Sequence, residues 1–250
     1  PFIVSSVSSA AAAGKLSDHL EFVSGGMEER PGMGVLMRTG DLADELTFSA
    51  ALNKPRLSIP EMPGAPDLPW EYAASYAAAW ASEPDPARPL NGLVLTGRGA
   101  PEISKRLTRA QQEACLAGGL TPLEVNANGE VCIVRAITNY NKTGAGVADF
   151  VILDVTKLTT LDYVREAVRS AVALAFPREK LSAKKKAAVR TIIFATLKKL
   201  EELELIENVD ANAPALIVEP DEQNDGQLNA AVPSEVIDGL HVLAARIDLL

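Results

Sequence analysis

The stretch LDVTKLTTLDYVREAVRSAVALAFPREK, residues 153–180, decides the architecture of this chain. It joins a short apolar strand to a long amphipathic helix. Over Leu158–Phe176 the apolar residues Leu158, Leu161, Val164, Val168, Val172 and Ala175 recur every three or four positions. That spacing gathers side chains on one helix face. Asp162, Arg165, Glu166 and Arg169 fall mainly on the other face, and Pro177 stops the helix because it cannot continue one. A second helix follows, with Ser182 as candidate N-cap. Its stripe is Val189, Ile192, Ile193, Leu197, Leu200 and Leu203, and it is predicted to end near Asn208. Strands are then expected around Leu216–Glu219, Leu228–Val232 and Leu240–Asp248. An acidic loop with Asp221, Glu222 and Asp225 separates the first two.

Upstream, RLTRAQQEACLAGGLTPLEVNANGEVCIVRAITNY (residues 106–140) reads as a helix over Thr108–Ala117 with a Gly118-Gly119 stop. A hairpin follows, in which Leu123–Val125 and Val131–Ile137 flank the turn Asn126-Ala127-Asn128-Gly129. Earlier still, strand-like Phe2–Ser5, Val35–Arg38, Arg56–Ile59 and Leu93–Thr96 alternate with three helical patterns. These are Leu16–Val23, a helix capped by Asp41 and ending near Asn53, and one that opens at Pro69. The last carries Trp70, Ala73, Ala77 and Trp80 at helical spacing. The order predicts an α/β fold, a mostly parallel sheet with covering helices over residues 1–105. An α+β domain of hairpin, two long helices and terminal strands follows over 106–250.

Composition narrows the function. A net charge of −9 argues against nucleic-acid binding, which draws on an excess of Lys and Arg. Aromatics make up 5% of residues, so Ala, Val, Leu and Ile must supply most of the core. Cys115 and Cys132 offer neither a disulfide framework nor metal spacing, and read as small buried apolar residues. No stretch approaches the roughly 20 apolar residues of a membrane-spanning helix, and no basic segment makes Ser5–Gly14 a signal peptide. The chain opens at Pro1, directly on Phe2-Ile3-Val4, and so reads as a fragment.

No catalytic motif emerges. The two histidines, His19 and His241, stand in no pattern that supplies a nucleophile and an orienting carboxylate, and no G-x-S-x-G elbow occurs. Gly97-Arg98-Gly99 lacks the rest of a phosphate-loop pattern and reads as a turn. Ser5, Ser6, Ser8 and Ser9 read as loop and cap residues. No cofactor or metal is therefore expected. Lys184, Lys185, Lys186 and Arg190, with Arg178 and Lys180, form one basic cluster at the start of the second long helix. Cations there oppose the helix dipole. The cluster is either a solvated helix start or a contact for an acidic partner. The terminal segment GLHVLAARIDLL, residues 239–250, is either a strand of the chain's own sheet or one donated to a neighbour.

Four phrases carry a resemblance. Arg106-Leu107-Thr108 with Glu113, Gly119-Leu120-Thr121-Pro122-Leu123, Arg135–Tyr140 and Leu153–Tyr163 stand in the order found in tail sheath proteins of contractile-tailed phages. The Mu-like kind is the most similar. The resemblance implies a structural subunit without enzymatic activity, in six-membered rings stacked around a rigid tube, whose contraction drives the tube through the host envelope. Its core is subtilisin-like in fold and not in catalysis. The implied partners are neighbouring sheath subunits, the tail tube protein, and baseplate and tail terminator proteins, with no nucleic acid and no membrane insertion. The implied place is the virion tail, assembled in the host cytoplasm. Lys184, Lys185, Lys186 and Arg190 become candidates for the tube-facing surface. Leu240, Val242, Leu243, Ala245, Ile247 and Leu249 become a candidate inter-subunit strand, and the N-terminal arm of the family is expected to be missing. Two alternatives stay open: a doubly wound α/β enzyme, and a sheath-like subunit of a non-phage contractile injection system. An enzyme is expected to gather perturbed titratable groups at the strand ends, and a sheath subunit none.

Overall fold

The computed structural model describes residues 1–7, 9–178, 180, 182–224 and 226–241. It divides into two compact units, one of Pro1–Val155 with the start of the terminal segment at Leu240, the other of Thr156–Gly239. The boundary expected between residues 105 and 106 falls inside the first unit.

In the first unit, β1 (Phe2–Val4), β2 (Met33–Val35) and β3 (Leu57–Ser58) form a parallel sheet in the order β1-β2-β3. A second sheet orders β4 (Pro60–Glu61), β5 (Thr121–Val125) and β6 (Val131–Ile133), with β4 parallel and β6 antiparallel to β5. The expected single sheet is thus two small ones. Proline has no N–H to give a ladder, and Pro60 stands where the strand passes from one sheet to the other. The strand expected at Leu93–Thr96 shrinks to one bridge between Val94 and Cys132. Gly92 (φ +77°) and Gly97 (φ +76°) turn the chain out of extended geometry on either side of it.

Four helices cover these strands: α1 (Ala10–Val23), α2 (Leu42–Leu52), α3 (Pro69–Ala81) and α4 (Arg109–Ala117). α1 starts six residues earlier than expected. Ser9 Oγ caps it by accepting from Ala12 N at 3.2 Å, and alanines, the best helix formers, fill its first turn. α2 ends at Asn53 in the left-handed conformation. α3 packs against β1 and β2 through Tyr72, Ala73, Tyr76, Ala77 and Trp80, with Phe2 edge-on to Trp80 at 4.8 Å. Trp70, expected on that face, is 43% exposed in the first turn. The core joins Ala13, Leu20, Leu36, Phe48, Leu57, Ile59, Cys115 and Leu120.

The second unit is built on α5 (Val155–Ala175) and α6 (Ala183–Glu202). β7 (Ile206–Glu207), the short helix α7 (Val209–Asn212), β8 (Ile217–Pro220), β9 (Leu228–Ala231) and β10 (Glu235–Val236) follow. α6 stops at Glu202 instead of near Asn208 because the chain turns left-handed at Glu204 (φ +57°). Leu203, expected in the buried stripe, is therefore 62% exposed, and Leu205 is buried instead. β8 and β9 pair antiparallel from Ile217↔Ala231 to Pro220↔Leu228, and β7 pairs with β10. Val164, Val168, Val189, Ile193, Leu197, Leu200 and Val218 supply buried apolar surface.

Candidate assembly interface

Three of the recurring phrases, the last through its opening Leu153-Asp154, meet in the first unit as a hydrogen-bonded knot. Arg135 donates to Asp154 twice, Nε to Oδ1 and Nη2 to Oδ2, each at 2.8 Å. Thr138 N donates to Leu153 O at 2.7 Å, and its hydroxyl to Ile152 O at 2.9 Å. Thr121, in the Gly119–Leu123 phrase, accepts from Ile137 N at 3.0 Å. The buried hydroxyls of Ser58 and Tyr76 join it, 2.9 Å apart, and burial pushes the Tyr76 phenol up to about 12. Gly119 (φ +78°) lies so close to Asn139 that a Cβ there would stand 2.8 Å from the Asn139 carbonyl oxygen. Asn139 in turn donates to Ser49 Oγ at 2.6 Å and accepts from Lys54 N at 3.0 Å. In the remaining phrase, Thr108 caps α4 in a reciprocal box with Gln111. These side chains spend their hydrogen bonds on one another and on the backbone.

The histidines lie apart in role. His19 is exposed on α1. His241 places Nδ1 3.1 Å from Asn91 Oδ1 and Nε2 3.4 Å from Asp154 Oδ1. The histidine–carboxylate contact is thus completed by the Arg135 guanidinium, which is no nucleophile. Of Gly97-Arg98-Gly99, Gly97 lies in a turn closed by Arg98 N donating to Leu95 O at 3.3 Å. Gly99 N donates to Asp67 at 2.7 Å and Arg98 pairs with Glu71 at 3.2 Å, so carboxylates already occupy it. Among the described residues no cluster of three or more His, Cys, Asp or Glu could hold a metal ion.

One expectation fails. Perturbed titratable groups do gather near the strand ends: Glu45 in the first turn of α2 and Glu61 at the end of β4, with the Arg38 guanidinium beside Glu45 beyond β2. Burial, then the charge of Glu45, pushes the Glu61 carboxyl up to about 8, against the opposing pull of Arg38. Glu45 is raised by burial as well. Both are sealed, at 0% and 1% exposure, so no substrate reaches them. Buried polar residues of a scaffold perturb titration as an active site does, and the hydrophobic pattern alone does not separate the two.

Surfaces remain. At the start of α6 Lys184 and Lys186 are exposed, while Lys185 lies over the Phe176 ring with Nζ 5.1 Å from its centre. Arg190 is engaged otherwise. It donates to the carbonyls of Leu216 at 3.0 Å and Ala213 at 2.8 Å, pinning the chain as it enters β8. The β8–β9 ribbon has only two strands among the described residues. Beside it an open groove of about 740 Å³ is lined by Val164, Val168 and Val172 of α5, Ile193 of α6, Val218 and Leu228. Of the candidate inter-subunit strand, Leu240 is 78% exposed. Val242, Leu243, Ala245, Ile247 and Leu249 lie outside the described residues.

Comparison with known proteins accounts for nearly the whole chain. Residues 9–139 match the family of the phage tail sheath protein central domain, and residues 148–249 that of the phage tail sheath C-terminal domain. A Mu-like prophage FluMu tail sheath protein of Haemophilus influenzae is 27% identical over 239 residues, which are 90% of this chain and 49% of that protein. The chain thus spans about half the length of the curated relative it matches. Among solved structures, a sheath tail protein of Listeria innocua superimposes with a TM-score of 0.73 at 16% identity, over 95% of this chain and 53% of the other. The anti-feeding prophage helical sheath in its contracted state gives 0.65 at 15% identity, over 96% and 66%.

Proposed function

From the premise that this chain belongs to the phage tail sheath family, we propose that it is part of a structural subunit of a contractile tail sheath. The observation that carries the reading is the order of the two family matches, central domain then C-terminal domain, which together cover nearly all 250 residues. Subunits polymerise head to tail around a tube, in a stack that stays open because successive rotations do not close. Contraction is then a change between two packings of the same subunits, and its work is the free-energy difference between them. Such a device uses no nucleotide and no active site, so we read the protein as non-enzymatic. Its place is the virion tail, reached by assembly in the host cytoplasm.

The partners follow from that role: neighbouring sheath subunits, the tail tube protein, and the baseplate and tail terminator proteins. Lys184 and Lys186 are the exposed cations we assign to the tube-facing surface, with Lys185 beside them. The two-stranded β8–β9 ribbon supports a strand-exchange reading, because an edge strand offers backbone donors and acceptors to an added strand. The terminal segment from Leu240 is our candidate for the donated strand. A sheath-like subunit of a non-phage injection system is the second reading, favoured by the fold likeness to the anti-feeding prophage sheath. The sequence relation to a Mu-like prophage protein favours the first.

Negative-stain microscopy of the natural protein that carries this chain tests the proposal. Long, hollow, striated cylinders are the expected result. A protein that stays in small closed oligomers, alone and with its tube protein, would overturn it. Genes for a capsid beside the sheath gene separate a phage from an injection system.

A further inference from the structure

The first unit buries two carboxyl groups that, among the described residues, face the Arg38 guanidinium. Glu45 is in the first turn of α2 and Glu61 ends β4, and both are sealed from solvent. Both oxygens of Glu45 and Oε2 of Glu61 meet no hydrogen-bond donor among the described residues. The seat of Glu45 is built to fit: a Cβ on Gly40 would stand 2.6 Å from its Oε1. Arg38 is the cation that faces the pair. Its Nε stands 3.5 Å from Glu45 Oε1, and its guanidinium is also stacked over Phe48 at 4.1 Å. The other titratable groups that bear on the pair are Asp44 on α2, which adds negative charge, and the Cys115 thiol of α4. That thiol is pushed up to about 12 by burial and by the neighbouring Glu61. Two buried carboxylates, three of whose oxygens meet no donor among the described residues, are costly to ionise together beside a guanidinium that is itself about a third exposed.

We propose that one of the two carboxyls, Glu61 in the first place, stays protonated in the folded unit at neutral pH, and that surrendering the proton to solvent base under alkaline conditions weakens this unit of the fold. The inference is independent of the sheath reading. Unfolded, a glutamate ionises near its ordinary value of 4.5, whereas burial and Glu45 raise Glu61 to about 8. Between these values the folded chain binds one more proton than the unfolded chain. The stability contributed is therefore complete below the lower value, falls as pH rises through the window, and levels off above the upper one. One proton corresponds to an unfolding constant that grows by up to about tenfold per pH unit.

The test is denaturant unfolding of the chain from about pH 6 to about pH 9, beside Glu61→Gln and Glu45→Gln. The parent should lose stability up to about pH 8, and Glu61→Gln should flatten that fall. Glu45→Gln, which removes the like charge, should move the fall to lower pH. A parental slope in Glu61→Gln, or an unmoved profile in Glu45→Gln, overturns the proposal. Infrared spectroscopy of the chain with isotope-labelled glutamate decides the matter if a variant fails to fold. A protonated carboxyl band should be present at neutral pH and gone in alkali. Its absence at neutral pH overturns the proposal.

Discussion

Arg135 clamps Asp154 through two parallel hydrogen bonds of 2.8 Å, although 19 residues separate them in the chain. The Asp154 side chain is 9% exposed and Arg135 30%, and the planar fork of the guanidinium matches the two carboxylate oxygens. His241 approaches the same carboxylate at 3.4 Å. Asp154 therefore ties the segment that leads into α5 both to the hairpin side of the unit and to the start of the terminal segment.

Asp154→Ala should destabilise the chain by about 2 kcal/mol, the range for charged hydrogen bonds when one partner keeps some access to water. Arg135→Lys keeps the charge and loses the fork, and should cost about 1 kcal/mol. Urea unfolding measures both. A loss below about 0.5 kcal/mol for Asp154→Ala would show that the clamp holds nothing.

Two left-handed glycines should respond differently to alanine. At Gly129 (φ +82°) nothing lies within 4 Å of an added Cβ, so only backbone strain of about 1 kcal/mol is expected. At Gly119 the same strain is joined by a 2.8 Å approach to a backbone oxygen that cannot swing away. Gly119→Ala should cost at least twice as much. Equal unfolding midpoints for the two variants would refute the close packing at Gly119.

The basic cluster divides into two roles. Lys184→Glu with Lys186→Glu should leave unfolding unchanged or slightly improved, since acidic groups at a helix N-terminus gain a few tenths of a kcal/mol each, up to about 1. In the natural protein the same pair should reduce sheath formation on tubes, visible by microscopy, because a weak exposed contact is repeated around every ring. Arg190→Ala should behave in the opposite way. It frees the carbonyls of Leu216 and Ala213 and should lower stability by about 1–2 kcal/mol. Normal extended sheaths from the double glutamate variant would remove the tube-facing assignment.

A stop after Gly239 removes His241 and its contacts with Asn91 and Asp154, but none of the described helices or strands. Circular dichroism should show a folded chain with a modestly lower midpoint. The natural protein truncated at the same place should fail to form sheath. A folded truncation that still makes normal sheath rules out strand donation, and an unfolded one places the segment in the subunit's own core.

Local chemistry was legible in the sequence because its signals act over a few residues. Pro69 opens α3, Gly118-Gly119 stops α4, Gly129 turns the hairpin, and α5 and α6 follow the stripes at residues 158–176 and 189–200. The phrases Gly119–Leu123, Arg135–Tyr140 and Leu153–Tyr163 pointed to the family without revealing that they are one knot. Only the tertiary structure decided which face of a helix is buried, since periodicity shows what can share a face and not what lies against it. Tyr72 and Tyr76 are buried where Trp70 is not, and Leu205 takes the place expected for Leu203. Arg190 looked like its lysine neighbours until the carbonyls of Ala213 and Leu216 came within reach. Glu45 and Glu61 are ordinary letters 16 positions apart. Their shared burial beside Arg38 depends on two strands and a helix meeting, and the field between charges depends on distance through the fold and not along the chain.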